Sequence, residues 1–202
     1  MLSLIGDDAA LDEWVKQLCA VASEHGFPHW QAQGAIYRGW IKAKHEDAAE
    51  GMSLLRSGIT AYRASGTELF VPHYFDLLAA ACEIAGQVEE GLTLLNDALQ
   101  IVERTGEHWF AAELNRRKGQ LLLRQGYSEA AEELYCKALN IAKEQEAKLW
   151  ELRAVVSLAR LRRDQGRSAE AHDLLGPIYG WFTEGFDTPD LKEAKALLDE
   201  LS

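Results

Sequence analysis

LFVPHYFDLLAAACEIAGQVEEGLTLLNDALQIVERTGEH, residues 69–108, and WFAAELNRRKGQLLLRQGYSEAAEELYCKALNIAKEQEAK, residues 109–148, are two versions of one pattern, and that pattern decides the fold. Laid side by side without a gap, they pair Phe70 with Phe110, Ala79 with Gly119, Gly86 with Gly126, Gly91 with Ala131 and Leu95 with Tyr135. The register extends one unit in each direction, so that Trp30, Phe70, Phe110 and Trp150 stand 40 residues apart. A fixed period of about 20–50 residues marks a solenoid of stacked supersecondary units, because no single unit can bury its own apolar face.

Within each unit, two helical patterns are joined by a short turn. The first helix carries a small column, Gly39, Ala79, Gly119 and Ala159, and the second carries another, Gly51, Gly91, Ala131 and Ala171. A bulky column follows, Leu55, Leu95, Tyr135 and Leu175, and then Gly58, Ala98 and Ala138, where Ile178 breaks the rule. Small residues at facing positions let two antiparallel helices approach closely while the bulky column fills the space between them. Gly86, Gly126 and Gly166 stand where a left-handed cap ends the first helix; Glu46 holds that place in the first unit and requires a different ending. Gly66 and Gly106 end second helices, and no run alternates in the manner of a strand, so the chain reads as all-α.

The expected boundaries are a single solenoid over 1–202, with a half-repeat helix at 7–28, repeats at 29–68, 69–108, 109–148 and 149–187, and a capping helix at 188–202. Residues 7–26 align with a second helix alone and carry an apolar stripe of Leu11, Trp14, Val15, Leu18 and Ala22. That half unit suggests the C-terminal part of a longer protein, or else is itself the cap of the array; a third reading is self-association as a homodimer through the stripe. At the other end, Gly176-Pro177 should kink or shorten the last second helix, and Trp181, Phe182 and Phe186 should fold over the end of the array. Thr188 and Pro189 then open a closing helix with the series Leu191, Ala194, Leu198 and Leu201.

Small, small, bulky, small at these positions of a helix-turn-helix resembles the tetratricopeptide repeat, with 40 residues per unit in place of the family's usual 34 or so. The likeness departs at the bulky first-helix position, where Ala35 and Asn115 replace an aromatic. It implies a right-handed α-α superhelix that binds protein segments. Residues 174–201, LLGPIYGWFTEGFDTPDLKEAKALLDEL, resemble the end of repeat regions attached to bacterial nucleotide cyclases and large signalling ATPases. That second likeness implies a sensory or regulatory region whose catalytic domain lies upstream. No phosphate-binding GxxxxGKS/T loop occurs in this chain, so no activity is carried over to its residues.

Chemistry finds little support. A net charge of −11 disfavours nucleic acid, and no apolar run is long enough for a membrane span. Cys19, Cys82 and Cys136 form no CxxC and read as small buried residues of a reducing, cytoplasmic protein. His25 and His29 are separated by Gly26 and Pro28, which spoils a metal-binding helix face, and His73 with Asp76 reads as a solvated pair. No metal, cofactor or catalytic residue is expected. The aromatic register of Trp30, Phe70, Phe110 and Trp150 reads as inter-repeat core.

Charge is the sharper clue. Ala111 to Arg167 holds twelve Lys/Arg against eight Asp/Glu, a positive island in an acidic chain. In tetratricopeptide arrays the first helices line a concave groove, which would here be lined by Gln33, Ile36, Trp40, Lys44, His73, Asp76, Arg116, Gln120, Arg124, Arg153, Arg160 and Arg163. Arginine forks suit carboxylates, so the expected partner is a protein segment, acidic at one end and apolar at the other.

Overall fold

The computed structural model describes residues 2–201, apart from the side chain of Ile5, so Met1 and Ser202 of the expected ranges lie outside the described residues. The helices are α1 (Leu2–Ile5), α2 (Asp8–Glu24), α3 (Pro28–His45), α4 (Ala48–Ala64), α5 (Val71–Ile84), α6 (Val88–Thr105), α7 (Ala111–Arg124), α8 (Ser128–Glu144), α9 (Lys148–Asp164), α10 (Ser168–Tyr179) and α11 (Pro189–Glu200), with a 3-10 turn over His108–Phe110. No strand occurs among the described residues. Two compact units result, the first ending at Glu107 and the second starting at His108.

In the first unit α3 pairs with α4 and α5 with α6, while α2 lies on α3 and α3 touches α5. Glycine lets the α3–α4 pair close to backbone contact. A Cβ on Gly51 would sit 2.4 Å from the Ala43 nitrogen, and one on Gly39 would sit 2.7 Å from the Leu55 nitrogen. Leu11, Val15 and Ala22 of α2 are buried. Trp14 rests edge-on against Tyr37 with ring centres 5.8 Å apart. Of the stripe expected to drive self-association, Leu11, Val15 and Ala22 are thus covered, while Leu18 is half-buried and Trp14 is 39% exposed.

In the second unit α7 pairs with α8 and α9 with α10, and α11 closes the end against both α9 and α10. The closing core joins Leu152, Val155 and Val156 of α9, Leu175 and Ile178 of α10, and Leu191, Ala194 and Leu197 of α11. Pro177 lies in the last turn of α10, which stops two residues later at Tyr179. Phe182 packs on this core, but Trp181 and Phe186 stay exposed, against the expectation that all three fold over it. The Lys148 ammonium instead stands 5.6 Å from the Trp181 ring centre, keeping the indole at the wet surface.

Helix ends follow the glycine signals. At Gly126, φ 88, the Tyr127 N–H donates to the Leu122 carbonyl at 3.0 Å and the Gly126 N–H to that of Leu123 at 2.9 Å. Those bonds satisfy carbonyls that the helix itself leaves open. Glu46 lacks the left-handed turn and ends α3 at φ −129, ψ −82.

Candidate functional site

On the first unit, the expected groove residues divide by burial. Gln33 is half-buried and its Nε2 donates to the Tyr74 hydroxyl at 2.8 Å. Ile36 is fully buried at the site where Gly58 leaves room; a Cβ there would meet Ile36 Cγ1 at 2.8 Å. Trp40 is half-buried with the Lys44 ammonium 5.9 Å from its ring centre, and Lys44 and His45 both reach the Asp8 carboxylate. His73 and Asp76 are each only 3% exposed, which corrects the solvated pair. The reason is local: α5 is apolar around almost its whole circumference, and every residue from Val71 to Glu83 is buried. The surface of this unit thus offers Gln33, Trp40 and Lys44, but neither Ile36 nor Asp76.

Around His73 lies an ordered aromatic cluster. Tyr74 meets Tyr37 edge-on at 5.9 Å and Tyr62 edge-on at 5.0 Å. Burial raises the pKa of the Tyr37 and Tyr74 hydroxyls above the ordinary phenol value. Ser3 of α1 reaches this cluster: its Oγ lies 3.5 Å from His73 Nε2, and its hydroxyl acts on that of Tyr37, working against the effect of burial. Sequence reading overlooked α1, because four residues ahead of an N-cap carry no periodicity.

On the second unit the arginines have partners within the protein. Arg116 embraces Glu113 through Nε and Nη2, each at 2.8 Å, and reaches Gln120 at 3.0 Å and Ser157 at 3.3 Å through Nη1. Arg153 grips Asp190 of α11 at 2.7 and 2.9 Å and stands 3.6 Å from Glu113, with its guanidinium 5.2 Å from the Trp150 ring centre. Glu113 is enclosed; burial raises its pKa, but the charges and donors of Arg116 and Arg153 overcome that and hold it at about 2. Nearer the solvent, Arg160 pairs with Glu193 and Arg163 with Glu200 and Asp164. Arg124 is exposed at the end of α7. The acidic helix that meets these arginines is the chain's own α11, a match that the separation of residues 153–163 from 190–200 in sequence concealed.

The aromatic register splits. Phe110 and Trp150 are buried and meet edge-on at 5.3 Å, but Trp30 and Phe70 are exposed, which corrects the expected four-residue ladder. Phe70 serves as the N-cap of α5 at φ 64, so its ring turns outward before the helix begins. Cys82 is buried, which pushes its thiol up to about 11, whereas Cys19 and Cys136 are only half-buried. Among the described residues no group of three or more His, Cys, Asp or Glu is placed to hold a metal, and no helix is long and apolar enough to cross a membrane.

Paired helices repeating every forty residues define the class as a helical-repeat fold. Within that class, residues 73–144 match the tetratricopeptide-repeat family model. The chain is 28% identical over 157 residues, 77% of its length, to an uncharacterized protein of Rhizobium meliloti (strain 1021), and it spans 15% of that relative's length. Among solved structures it is similar to kinesin light chain nearly identical TPR-like repeats of Podosopora anserina, at TM-score 0.66 and 19% identity, covering 86% of this chain and 85% of that one. It is also similar to BtubC (BKLC) from P. vanneervenii, at TM-score 0.69 and 16% identity, covering 98% and 89%. Residues 73–144 thus carry the tetratricopeptide-repeat pattern, and the structural likenesses show a TPR-like helical-repeat fold.

Proposed function

We propose that this chain is a non-catalytic scaffold that binds a partner protein on its first-helix faces, with an acidic stretch of the partner meeting Arg124, Arg160 and Arg163. The observation that carries this reading is the contrast between two kinds of arginine. Arg116 and Arg153 are enclosed with Glu113 and Asp190 and belong to the fold, whereas the Arg160–Glu193 pair is 47% and 41% exposed. Exposed ion pairs are worth about 0–1 kcal/mol, so exchanging Glu193 or Glu200 for a partner's carboxylate costs little. On the first unit, taken by itself, Gln33, Trp40 and Lys44 form a second, mixed and partly apolar surface. In this reading the protein is cytoplasmic and needs no cofactor.

The test is affinity capture from the source cells with the wild-type chain and with an Arg160→Glu/Arg163→Glu variant, followed by titration of the captured partner at several salt concentrations. Loss of about tenfold or more in affinity and a flatter salt dependence support the proposal; unchanged affinity and salt dependence overturn it. A second reading, regulation of a bacterial nucleotide cyclase or signalling ATPase in the same polypeptide, rests on the sequence of residues 174–201 alone. Reading the source gene on both sides of this segment tests it, an in-frame catalytic domain being the expected finding.

A further inference from the structure

The first unit carries a short segment, α1, that packs on α2 and reaches the first helices through Ser3. Ser3 of α1 touches both α3, through Tyr37, and α5, through His73, while Leu2, Ser3 and Leu4 are each half-buried. The segment is tied to the rest of the fold through Gly6, at φ 73, and through the Asp7 N–H, which donates to the Leu2 carbonyl at 3.3 Å. We propose that the α3–α5 face around Tyr37 and His73 is a docking site for a short apolar-hydroxyl-apolar turn, and that the chain's own Leu2–Ile5 occupies it as a displaceable insert. This deepens the reading of the first-helix faces as binding surfaces and rests on it.

Receptor and insert differ in how firmly they are built. The face is fixed independently of α1: Gln33 holds the Tyr74 hydroxyl, and Tyr37, Tyr74 and Tyr62 lock one another edge to face. Such a site pays little reorganisation on binding. α1 has four residues, far fewer than a helix needs to persist alone, and its two leucines are only half covered. Its order is therefore borrowed from the surface beneath it, and a partner turn of the same chemistry, a serine or threonine between branched aliphatic residues, competes for the same donors and the same apolar footing. A hydroxyl suits the site because it can both donate and accept between a histidine nitrogen and a tyrosine hydroxyl. The insert is a local substitute for the partner, and its release is what frees the face.

The probe is the capped peptide LSLIG, the sequence of Leu2–Gly6, added to a variant from which everything before Asp7 has been removed. Asp7 is kept because its carboxylate accepts the Ala10 N–H at 3.0 Å and caps α2. NMR signals of the Trp14 indole, packed on Tyr37, and of the His73 ring report the site. The expected result is that truncation moves these signals, that saturating peptide returns them to their positions in the full chain, and that the full chain binds the peptide at least about tenfold more weakly. A Ser3→Ala substitution in the full chain is expected to move the same signals part of the way toward the truncated form. A folded truncation, judged by unchanged helical circular dichroism, that shows no shift with peptide overturns the proposal. Equal binding by both chains also overturns it, since the insert then covers nothing. Neither outcome depends on Arg160 or Arg163, so failure of the arginine variants to weaken partner capture is distinguishable from failure here.

Discussion

Glu113 is an enclosed carboxylate whose charge is kept by Arg116 and Arg153, and removing that charge while leaving the arginines is the most informative single substitution in the second unit. Glu113→Gln leaves two guanidinium groups with half their neutralisation and is expected to cost about 3 kcal/mol in urea unfolding, the usual scale for breaking a buried pair. Another residue breaks the turn grammar of the repeats. Gly26, Gly66 and Gly106 hold left-handed positions at the ends of second helices, and in the same register Glu146 adopts φ 53. A side chain in that region costs about 1–2 kcal/mol that glycine avoids, part of which glycine returns through its freer unfolded chain. Glu146→Gly is therefore expected to stabilise the protein by about 0.5–1 kcal/mol, read as a higher urea midpoint at unchanged m-value.

Between elements, the two classes of small residue do different work. At Gly51 an added methyl would meet the backbone of Ala43, which can yield only by moving α3 from α4; at Gly119 it would meet the ring edge of Tyr135 at 2.8 Å, which a rotation can relieve. Gly51→Ala is expected to lose about 3 kcal/mol, and Gly119→Ala about 1 kcal/mol, by the same unfolding measurement. Helix pairing was legible in the sequence because such columns are local and repeat in register. Which polar residues end up covered was not legible. His73, Asp76 and Glu113 occupy the same kind of face as Gln33 and Arg153, and their burial depends on what lies across from them. Asn115 shows the same limit. It stands where an aromatic would fill space, is 1% exposed, and has its Nδ2 on the Ala111 carbonyl at 2.7 Å while its Oδ1 finds no hydrogen-bond partner. A polar residue in a packing column reads as surface until the structure encloses it.

Across the whole molecule, charge separates the two compact units in the chemistry that holds each together. The first is built on a tyrosine cluster and a largely apolar α5 that also buries His73, Asp76 and Glu83, with the Arg56–Glu90 and Arg104–Glu68 pairs at the surface. The second threads enclosed charges through α7, α9 and α11, so that Asp190 of the closing helix is gripped by the same Arg153 that faces Glu113. The sign of the linkage follows from Glu113. Its pKa is lowered from 4.5 to about 2, so the stability it contributes is fully present above about pH 4.5 and drains away as pH falls through about 2. Acid should consequently loosen α7, α9 and α11 ahead of α3 and α4. Native-state hydrogen exchange compared at about pH 6 and pH 3, after correction for the intrinsic exchange rate, is expected to show a larger fall in protection for those three helices. In the Glu113→Gln variant the second unit should be weak at both pH values and the difference between them reduced, because the group that titrates is gone. Equal acid sensitivity of α3 and α7 in the wild type would show that the enclosed pair does not set the stability of its unit.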